Sequence, residues 1–352
     1  MNRNYSIALL PGDGIGPDVT AEAVKALRAV EDRHGSTLFS FEELSVGAGE
    51  YLRSGNPLPE PTFERLKDFD AILLGAMGLP DVRRPDGTEM TPQIELRERL
   101  DLYCGLRPIR LYRPEHSPLS PVDGRPLIDM LLIRENCEGL FFARHQKVDP
   151  EADEVRDVMR VSRASSERLF HSAFQQARKR RKHCTLVDKA NVLPSMAFFR
   201  RIFDEIAREY PDVETNRIYV DAAALYLVQR PDRFDVLVTE NMFGDILSDL
   251  MAGLIGGMGM APSADIGPKY AVFQPSHGTA PDIAGKGIAN PVATILSAGM
   301  MLDWLGLPEQ GAWIWNAVEA AFHDPSNKTK DLGGDTSTTA MGDTIAALVR
   351  TV

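Results

Sequence analysis

The chain has 352 residues, with 39 lysines and arginines against 50 aspartates and glutamates, so its formal net charge is −11. The fractions of hydrophobic residues (43%) and charged residues (25%) are typical of globular proteins and exclude a disordered or fibrous chain, and the length predicts two domains or one large α/β unit. The acidic balance argues against a nucleic acid or an anionic membrane as partner, since both require a basic surface, whereas a few local arginines would still accommodate a small anionic substrate.

The cysteines and the N-terminus indicate the compartment. The 3 cysteines include no CxxC spacing, which predicts neither a disulfide framework nor a structural zinc site. The N-terminus has no long apolar segment, and no stretch approaches the roughly 18 apolar residues of a membrane span. We therefore expect a soluble, cytoplasmic protein.

Apolar runs and helical periodicity alternate along the chain. The predicted elements are strand 7–10, helix 19–33, strand 37–44, a helix-like segment 63–67, strand 71–75, strand 127–133, helix 162–182, and strands 184–188, 218–220 and 236–238. A glycine-rich stretch over 253–267 leads to further short strand–loop–helix units, and the basic run 178–182 is expected to complement a helix C-terminus rather than to bind nucleic acid. This alternation predicts an α/β protein with a mostly parallel, helix-covered sheet.

A glycine-rich turn follows the first strand. Residues 12–16 read GxGxG and are followed by Pro17, which lacks the backbone N–H that a phosphate-binding helix start would offer. A Rossmann fingerprint also needs an acidic residue after the second strand, which Glu42 and Glu43 fit only loosely. The pattern favours a tight structural turn near a ligand.

Three arginines are candidates for binding carboxylates. Arg97 and Arg107 lie ten residues apart, and Arg134 follows an apolar strand. Guanidinium groups bind carboxylates through two parallel hydrogen bonds, so three converging arginines would hold a di- or tricarboxylate. Each alone is more often a surface ion-pair partner, and Arg134 is the strongest candidate.

Acidic residues and one lysine form a second candidate group. Asp245 and Asp249 are spaced i, i+4, which places two carboxylates on one helix face, and a hard divalent cation would remove their repulsion. Asp221, at the end of strand 218–220, is a third candidate ligand. A helix N-cap role for one of these aspartates is an equally good interpretation of the spacing. Lys189 follows an apolar strand, where a nearby metal would make it a suitable base, although alone it would be a surface lysine.

Small residues are interleaved with polar ones over 277–291. Small side chains let the backbone approach a ligand, and Asp282 beside them is suited to the ribose hydroxyls of NAD while repelling a 2′-phosphate. An ordinary glycine-rich loop does not explain the interleaved histidine, aspartate and asparagine.

Taken in order, these stretches resemble the β-decarboxylating dehydrogenases that act on 3-isopropylmalate, isocitrate, homoisocitrate and tartrate or D-malate. The similarity runs from Pro11 almost to the C-terminus and is most specific over 241–249 and 277–291. It implies an isopropylmalate dehydrogenase-like two-domain fold that is not a Rossmann domain. One domain would combine 1–102 with 256–352 and bind the cofactor, and 103–255 would form the dimerisation and metal/substrate domain.

The resemblance also implies residue roles. Arg97, Arg107 and Arg134 would bind the malate carboxylates, Lys189 would help deprotonate the C2 hydroxyl, and Asp221, itself counted as catalytic, would join Asp245 and Asp249 in binding Mg²⁺ or Mn²⁺. Lys189 and Asp221 would reach the site from the partner subunit, which implies a homodimer with shared active sites. The residues expected at NAD are Ile15, Asn191, His277, Gly278, Thr279, Ala280, Asp282 and Asn290.

The departures from the family pattern affect catalysis and specificity. Phe141 stands where the family has a proton-donating tyrosine, and His145 or a water is the candidate replacement. Gln274 and Met90 stand where isopropylmalate enzymes often carry glutamates. Thr91 and Gln93 replace a leucine-rich segment and resemble the polar pair that isocitrate enzymes use for a third carboxylate, so they predict a polar side group on the substrate.

The sequence therefore predicts an NAD- and Mg²⁺/Mn²⁺-dependent oxidation, with decarboxylation, of a 3-substituted malate or of a tartrate- or malate-like 2-hydroxy acid. One alternative is oxidation without efficient decarboxylation, because Phe141 has no proton to give. Another is a catalytically silent regulatory homologue, against which the retained lysine, aspartates and arginines argue.

Overall fold

The computed structural model describes residues 4–119, 128–149 and 151–352. The strands in the described residues are β1 (Tyr5–Gly12), β2 (Phe39–Glu43), β3 (Ala71–Ala76), β4 (Cys104–Arg110), β5 (Asp129–Glu135), β6 (His183–Asp188), β7 (Glu214–Tyr219), β8 (Val236–Thr239), β9 (Pro262–Ile266) and β10 (Ala271–Pro275). The α-helices are α1 (Gly16–His34), α2 (Ala48–Ser54), α3 (Glu60–Leu66), α4 (Pro92–Arg99), α5 (Arg163–Arg178), α6 (Pro194–Ala207), α7 (Val220–Gln229), α8 (Asn241–Gly253), α9 (Val292–Trp304), α10 (Pro308–Ala321) and α11 (Thr338–Val349). None of these helices is long and apolar enough to cross a membrane.

All ten strands belong to one sheet, in the order β2-β1-β3-β10-β9-β4-β5-β8-β6-β7. The pairs at both ends of the sheet are parallel, and only the central pairs β10–β9, β9–β4 and β4–β5 are antiparallel. Strands such as β3, in which every residue is buried, are apolar throughout because helices cover both faces of the sheet. The predicted mostly parallel, helix-covered α/β fold is confirmed.

The sheet joins two parts of the chain. Its first half contains strands from both ends of the chain, within 5–76 and 262–275, and its second half contains strands within 104–239. The halves meet where β9 pairs with β4, with Asp265 opposite Gly105. This division follows the domains that the resemblance implies, whose boundaries stay a prediction.

Three predicted elements differ from the structure. The strand expected over 218–220 ends at Tyr219, so Asp221 lies in the first turn of α7 rather than at a strand end. The helix expected over 162–182 ends at Arg178, and the basic run continues into a turn where Arg180 pairs with the buried Asp235, Nε to Oδ1 2.8 Å. The strand expected over 127–133 is β5, and Leu127 lies outside the described residues.

The glycine-rich turn after β1 is structural. Asp13 is buried, and its carboxylate accepts hydrogen bonds from the backbone N–H groups of Ala48, Gly49 and Gly78 at 2.7–2.8 Å. Gly14 has φ +60°, and a Cβ at this position would meet the backbone oxygen of Thr279 at 2.0 Å. Only glycine lets the turn approach the 277–291 loop this closely.

Candidate active site

Arg134 lies at the carboxyl end of β5 and is one of the most buried side chains of the molecule, with 1% of its surface exposed. Its Nε and Nη2 donate to Oδ1 of Asn241 at 3.0 and 2.7 Å, and its Nη1 donates to Asp245 on the same helix, α8. The aliphatic part of the arginine crosses α8 at Gly244, where a Cβ would meet Cγ of Arg134 at 2.6 Å. The start of α8 thus binds and positions the Arg134 side chain.

Arg97 and Arg107 share a carboxylate that the sequence analysis does not include. Nε of Arg97, on α4, donates to Oδ2 of Asp265 at 2.9 Å, and Nη2 of Arg107, on β4, lies 3.9 Å from Oδ1 of the same aspartate. Asp265 also accepts hydrogen bonds from Nδ2 of Asn136 (2.8 Å) and Nε2 of Gln274 (2.6 Å). The aspartate therefore links α4, β4, β10 and the residue that follows β5, and it lies between two arginines.

The three arginines form one positively charged cluster. Burial, followed by the charge of Arg97, lowers the pKa of Arg134 to about 10. Burial also lowers the pKa of Arg107, with Arg97 contributing in the same direction and the nearby carboxylates of Asp265, Asp245 and Asp249 opposing. The three buried guanidinium groups repel one another and therefore require anionic partners. The arginines thus converge, as expected for a site that binds carboxylates.

Asp245 and Asp249 lie on one face of α8, as the i, i+4 spacing predicts. Burial and then the charge of Asp245 raise the pKa of Asp249, which shows that the pair disfavours its own ionisation. The N-cap interpretation of the aspartates is wrong, because the cap of α8 is Glu240, whose side chain accepts from the Phe243 N–H, and the cap position of α7 is Tyr219.

Lys189 and Asp221 form a separate pair within the single chain. Nζ of Lys189 donates to Oδ1 of Asp221 at 2.6 Å, and this hydrogen bond lowers the pKa of the aspartate. No group of three or more histidine, cysteine, aspartate or glutamate side chains in the described parts of this one chain is arranged to hold a metal ion. The structure thus brings Asp245 to Asp249 and Lys189 to Asp221, and leaves the two pairs apart.

The 277–291 loop packs against the first turn of α1. The N–H of Ile15 donates to the backbone oxygen of Thr279 at 2.8 Å, and the Ile15 side chain packs with Ala280 in a small apolar cluster. Nδ1 of His277 bonds to the Gly278 carbonyl at 2.8 Å, and its Nε2 is buried with no partner in the described part of the chain. Burial lowers the pKa of His277, so the ring is neutral and its Nε2 is an unused acceptor.

Other predicted cofactor residues differ in their surroundings. Asp282 is exposed on the loop, and a Cβ added to Gly278 would meet open space. The side chain of Asn290 is engaged inside the protein, since its amide donates to Asp331 Oδ2 (3.1 Å) and its oxygen accepts from the Val292 N–H (3.0 Å). Any contact of Asn290 with adenine therefore falls to its backbone. Asn191 is exposed two residues after the catalytic lysine candidate.

The start of α4 carries the predicted specificity residues. Thr91 is the N-cap residue of α4 and Gln93 lies in its first turn, both partly exposed, while Met90 before them is buried. Because Arg97 belongs to the same helix, this segment is connected rigidly to the arginine cluster.

Phe141 lies against the arginine cluster. The guanidinium carbon of Arg134 is 5.2 Å from the centre of the Phe141 ring, a distance that allows a cation–π interaction. The candidate replacement His145 is exposed, and its Nε2 lies 2.9 Å from Oε2 of Glu98. The aromatic contact is present at this position, whereas a hydroxyl is not.

Sequence reasoning missed Asp265, Asn241 and Gly244. An isolated acidic residue within the short apolar strand β9 was the available signal for Asp265. Asn241 and Gly244 lie inside the motif that supplied Asp245, yet their function depends on Arg134, more than 100 residues away in sequence.

Comparisons with known proteins indicate the family of this chain. A family model described as isocitrate/isopropylmalate dehydrogenase matches residues 6–345. A 3-isopropylmalate dehydrogenase of Carboxydothermus hydrogenoformans is 44% identical over 97% of this chain and 94% of its own length, and one of Thermotoga maritima is 44% identical over 96% and 97%.

Solved structures agree in fold. The crystal structure of isocitrate dehydrogenase from Methylococcus capsulatus superposes with a TM-score of 0.88 at 38% identity, covering 98% of this chain and 99% of that one. A β-decarboxylating dehydrogenase from Thermococcus kodakarensis gives 0.82 at 38% identity, with coverages of 98% and 96%. The chain therefore belongs to the isocitrate/isopropylmalate dehydrogenase family, whose members are decarboxylating dehydrogenases that act on a secondary alcohol.

Proposed function

We propose that this protein catalyses the NAD- and Mg²⁺- or Mn²⁺-dependent oxidation, with decarboxylation, of a malate-like 2-hydroxy dicarboxylate, in the cytoplasm. The observation that carries the proposal is the cluster of Arg97, Arg107 and Arg134 beside the two carboxylates of α8. Nε of Arg107 is buried and lacks a hydrogen-bond partner among the described residues. A substrate carboxylate would satisfy this donor and supply the negative charge that the cluster needs.

The donor set fits a hard divalent cation. Asp245 and Asp249 offer carboxylate oxygens. Burial and then the charge of Asp245 raise the pKa of Asp249, and a bound cation would offset both effects. Asp221 fits as the third ligand if it comes from a second protomer, because in its own chain it pairs with Lys189 instead. We therefore propose a homodimer whose sites are shared.

The 277–291 loop fits a dinucleotide. The unused acceptor Nε2 of His277 and the exposed Asp282 carboxylate suit ribose or adenine donors, and the open face of Gly278 allows close approach. A carboxylate at Asp282 would repel the 2′-phosphate of NADP, which supports NAD.

The residues divide the reaction among them. The arginines bind the two carboxylates and fix C2 and C3 of the substrate, and Lys189 from the second protomer takes the proton of the C2 hydroxyl. A divalent cation held by Asp245, Asp249 and Asp221 would supply Lewis-acid polarisation, and NAD⁺ held by the 277–291 loop would supply the hydride acceptor. After CO₂ leaves, Phe141 has no proton to deliver to C3, so a water has to deliver it.

A substrate panel tests the activity. 3-Isopropylmalate, isocitrate, D-malate and tartrate are supplied with NAD⁺ and Mn²⁺, and NADH and CO₂ are followed separately. Formation of both products supports the proposal, and no NADH from any of these or from a wider malate panel refutes the oxidoreductase assignment. NADH without CO₂ would favour the second candidate, oxidation without efficient decarboxylation, for which the Phe141 side chain is the specific observation.

Mixed dimers test the shared site. Asp221→Asn and Asp245→Asn should each be inactive alone. After co-refolding, random pairing should restore about a quarter of wild-type activity, because half of the dimers are mixed and each mixed dimer has one intact site. No recovery in dimers shown to be mixed would refute sharing.

A further inference from the structure

Asp265 is the one carboxylate of the arginine cluster to which the proposed mechanism gives no role. It is 1% exposed and lies on β9 between two arginines. Oδ2 accepts from Nε of Arg97 (2.9 Å) and from Gln274 (2.6 Å), and Oδ1 accepts from Asn136 (2.8 Å). Because both oxygens have internal donors, the carboxylate is a fixed part of the site.

The carboxylate is also permanently charged. Burial alone would raise the pKa of Asp265, but the charges of Arg97 and Arg107 outweigh burial and hold the pKa below its ordinary value. Asp265 therefore remains ionised throughout the neutral range.

A second carboxylate at position 274, on the neighbouring strand β10, would be unfavourable. Nε2 of Gln274 donates to Oδ2 of Asp265 at 2.6 Å, and a glutamate at position 274 would place a second anion at this distance. Two carboxylates so close disfavour joint ionisation. The amide at 274 and the acid at 265 are thus a matched pair that puts a single negative charge beside the arginines.

The charges of this cluster can be counted. Three arginines contribute three positive charges and Asp265 removes one. Two remain for the substrate, because Asp245 and Asp249 would balance the divalent cation that they bind and Asp221 balances Lys189. We propose that Asp265 is a specificity-determining residue that matches the site to a hydroxy dicarboxylate with an uncharged side group and disfavours a tricarboxylate. Thr91 and Gln93 are polar but uncharged, so they are compatible with a polar side group and do not by themselves decide whether that group is charged. This inference rests on the proposed function.

The test compares two ligands that differ by one charge. Isocitrate and its analogue with an amide in place of the side-group carboxylate are titrated calorimetrically into the full-length protein at fixed ionic strength and fixed free Mg²⁺. The wild-type protein should bind the amide analogue more tightly. Asp265→Asn should shift the ratio of the two dissociation constants by about tenfold in favour of isocitrate, since one buried negative charge is removed.

A matched control separates charge selection from structural damage. Asp235→Asn changes another buried aspartate that pairs with an arginine, Arg180. Asp235 directly precedes β8, whereas Arg134 lies opposite Thr239 at the other end of that strand. Asp235→Asn should lower the melting temperature without changing the ratio. An unchanged ratio in Asp265→Asn, or tighter binding of isocitrate than of the amide by the wild type, would overturn the inference. The wild-type comparison decides the matter even if Asp265→Asn fails to fold, and binding is measured independently of turnover, on which the proposed function is tested.

Discussion

The packing of Arg134 on α8 allows a steric test of the site. In Gly244→Ala the new Cβ would lie 2.6 Å from Cγ, 2.8 Å from Cβ and 3.2 Å from Cδ of Arg134. Ordinary carbon contacts are about 3.5–4.0 Å, so the arginine or the helix must move by about 1 Å. Arg134 cannot move alone, because Asn241 and Asp245 hold its guanidinium group.

The expected cost is large in catalysis and moderate in stability. A misplacement of about 1 Å in a group that positions the substrate costs on the order of 10²-fold in kcat/KM. Overpacking of a buried site costs about 1–3 kcal/mol of unfolding free energy. Steady-state kinetics with the best substrate of the panel and thermal denaturation measure the two effects separately.

Gly253→Ala is the matched control. It makes the same change on the same helix, and apart from the neighbouring backbone of α8, no heavy atom of the described residues lies within 4 Å of the added Cβ. It should leave kcat/KM within about twofold and stabilise the protein by up to about 1 kcal/mol, since alanine is the better helix former. If Gly244→Ala kept the wild-type kcat/KM, or if both variants lost activity equally, the proposed dependence of the site on the packing of Arg134 against Gly244 would be refuted.

Three further outcomes are expected. Chelation should abolish turnover, and added Mg²⁺ or Mn²⁺ should restore it; turnover that survives chelation would exclude the aspartate metal site. Phe141→Tyr should raise kcat at least about tenfold if proton delivery to C3 is slow, measured as CO₂ and NADH release, and an unchanged kcat would mean that water already suffices. Burial raises the pKa of Glu135 from 4.5 to about 7, so its stabilising contribution is complete below pH 4.5 and is lost as pH rises through 7. Glu135→Gln should therefore gain about 3 kcal/mol relative to the wild type between pH 4 and pH 8 in denaturant titrations, and a pH-independent difference would contradict the shift.

The sequence predicts most of the fold because its signals are local. Buried strands such as β3 and β5 contain continuous apolar runs, and α1 and α5 have clear helical periodicity. The errors fall at boundaries. Asp221 was placed on a strand because strand 218–220 continues an apolar run, whereas the backbone turns into α7 at Val220. A β-branched residue such as Val220 is common in strands, so at a helix start it gives no local signal that distinguishes a helix from a strand.

The individual site residues were predictable from the sequence, but the hydrogen bonds and ion pairs between them were not. The arginines and α8 aspartates could be chosen from residue type and spacing. The pairing of Arg97 with Asp265 depends on β4 and β9 meeting in the sheet, a contact between residues 168 apart in sequence. No periodicity encodes such a contact, and therefore the internal counter-charge of the cluster became visible only in three dimensions.

An aromatic side chain at position 141 has two separable roles, contact of its ring with Arg134 and proton donation by a hydroxyl. The Phe141 ring faces the guanidinium group of Arg134 at 5.2 Å, and the ring face stabilises a cation whose burial otherwise lowers its pKa. This cation–π interaction requires a ring and not a hydroxyl, so phenylalanine still stabilises the arginine cluster that would bind the substrate. The proton needed at C3 requires the hydroxyl, which phenylalanine lacks. The substitution is therefore expected to leave binding and hydride transfer unaffected and to slow the final protonation. Because this step follows CO₂ release, formation of the protonated product has to be measured beside NADH and CO₂.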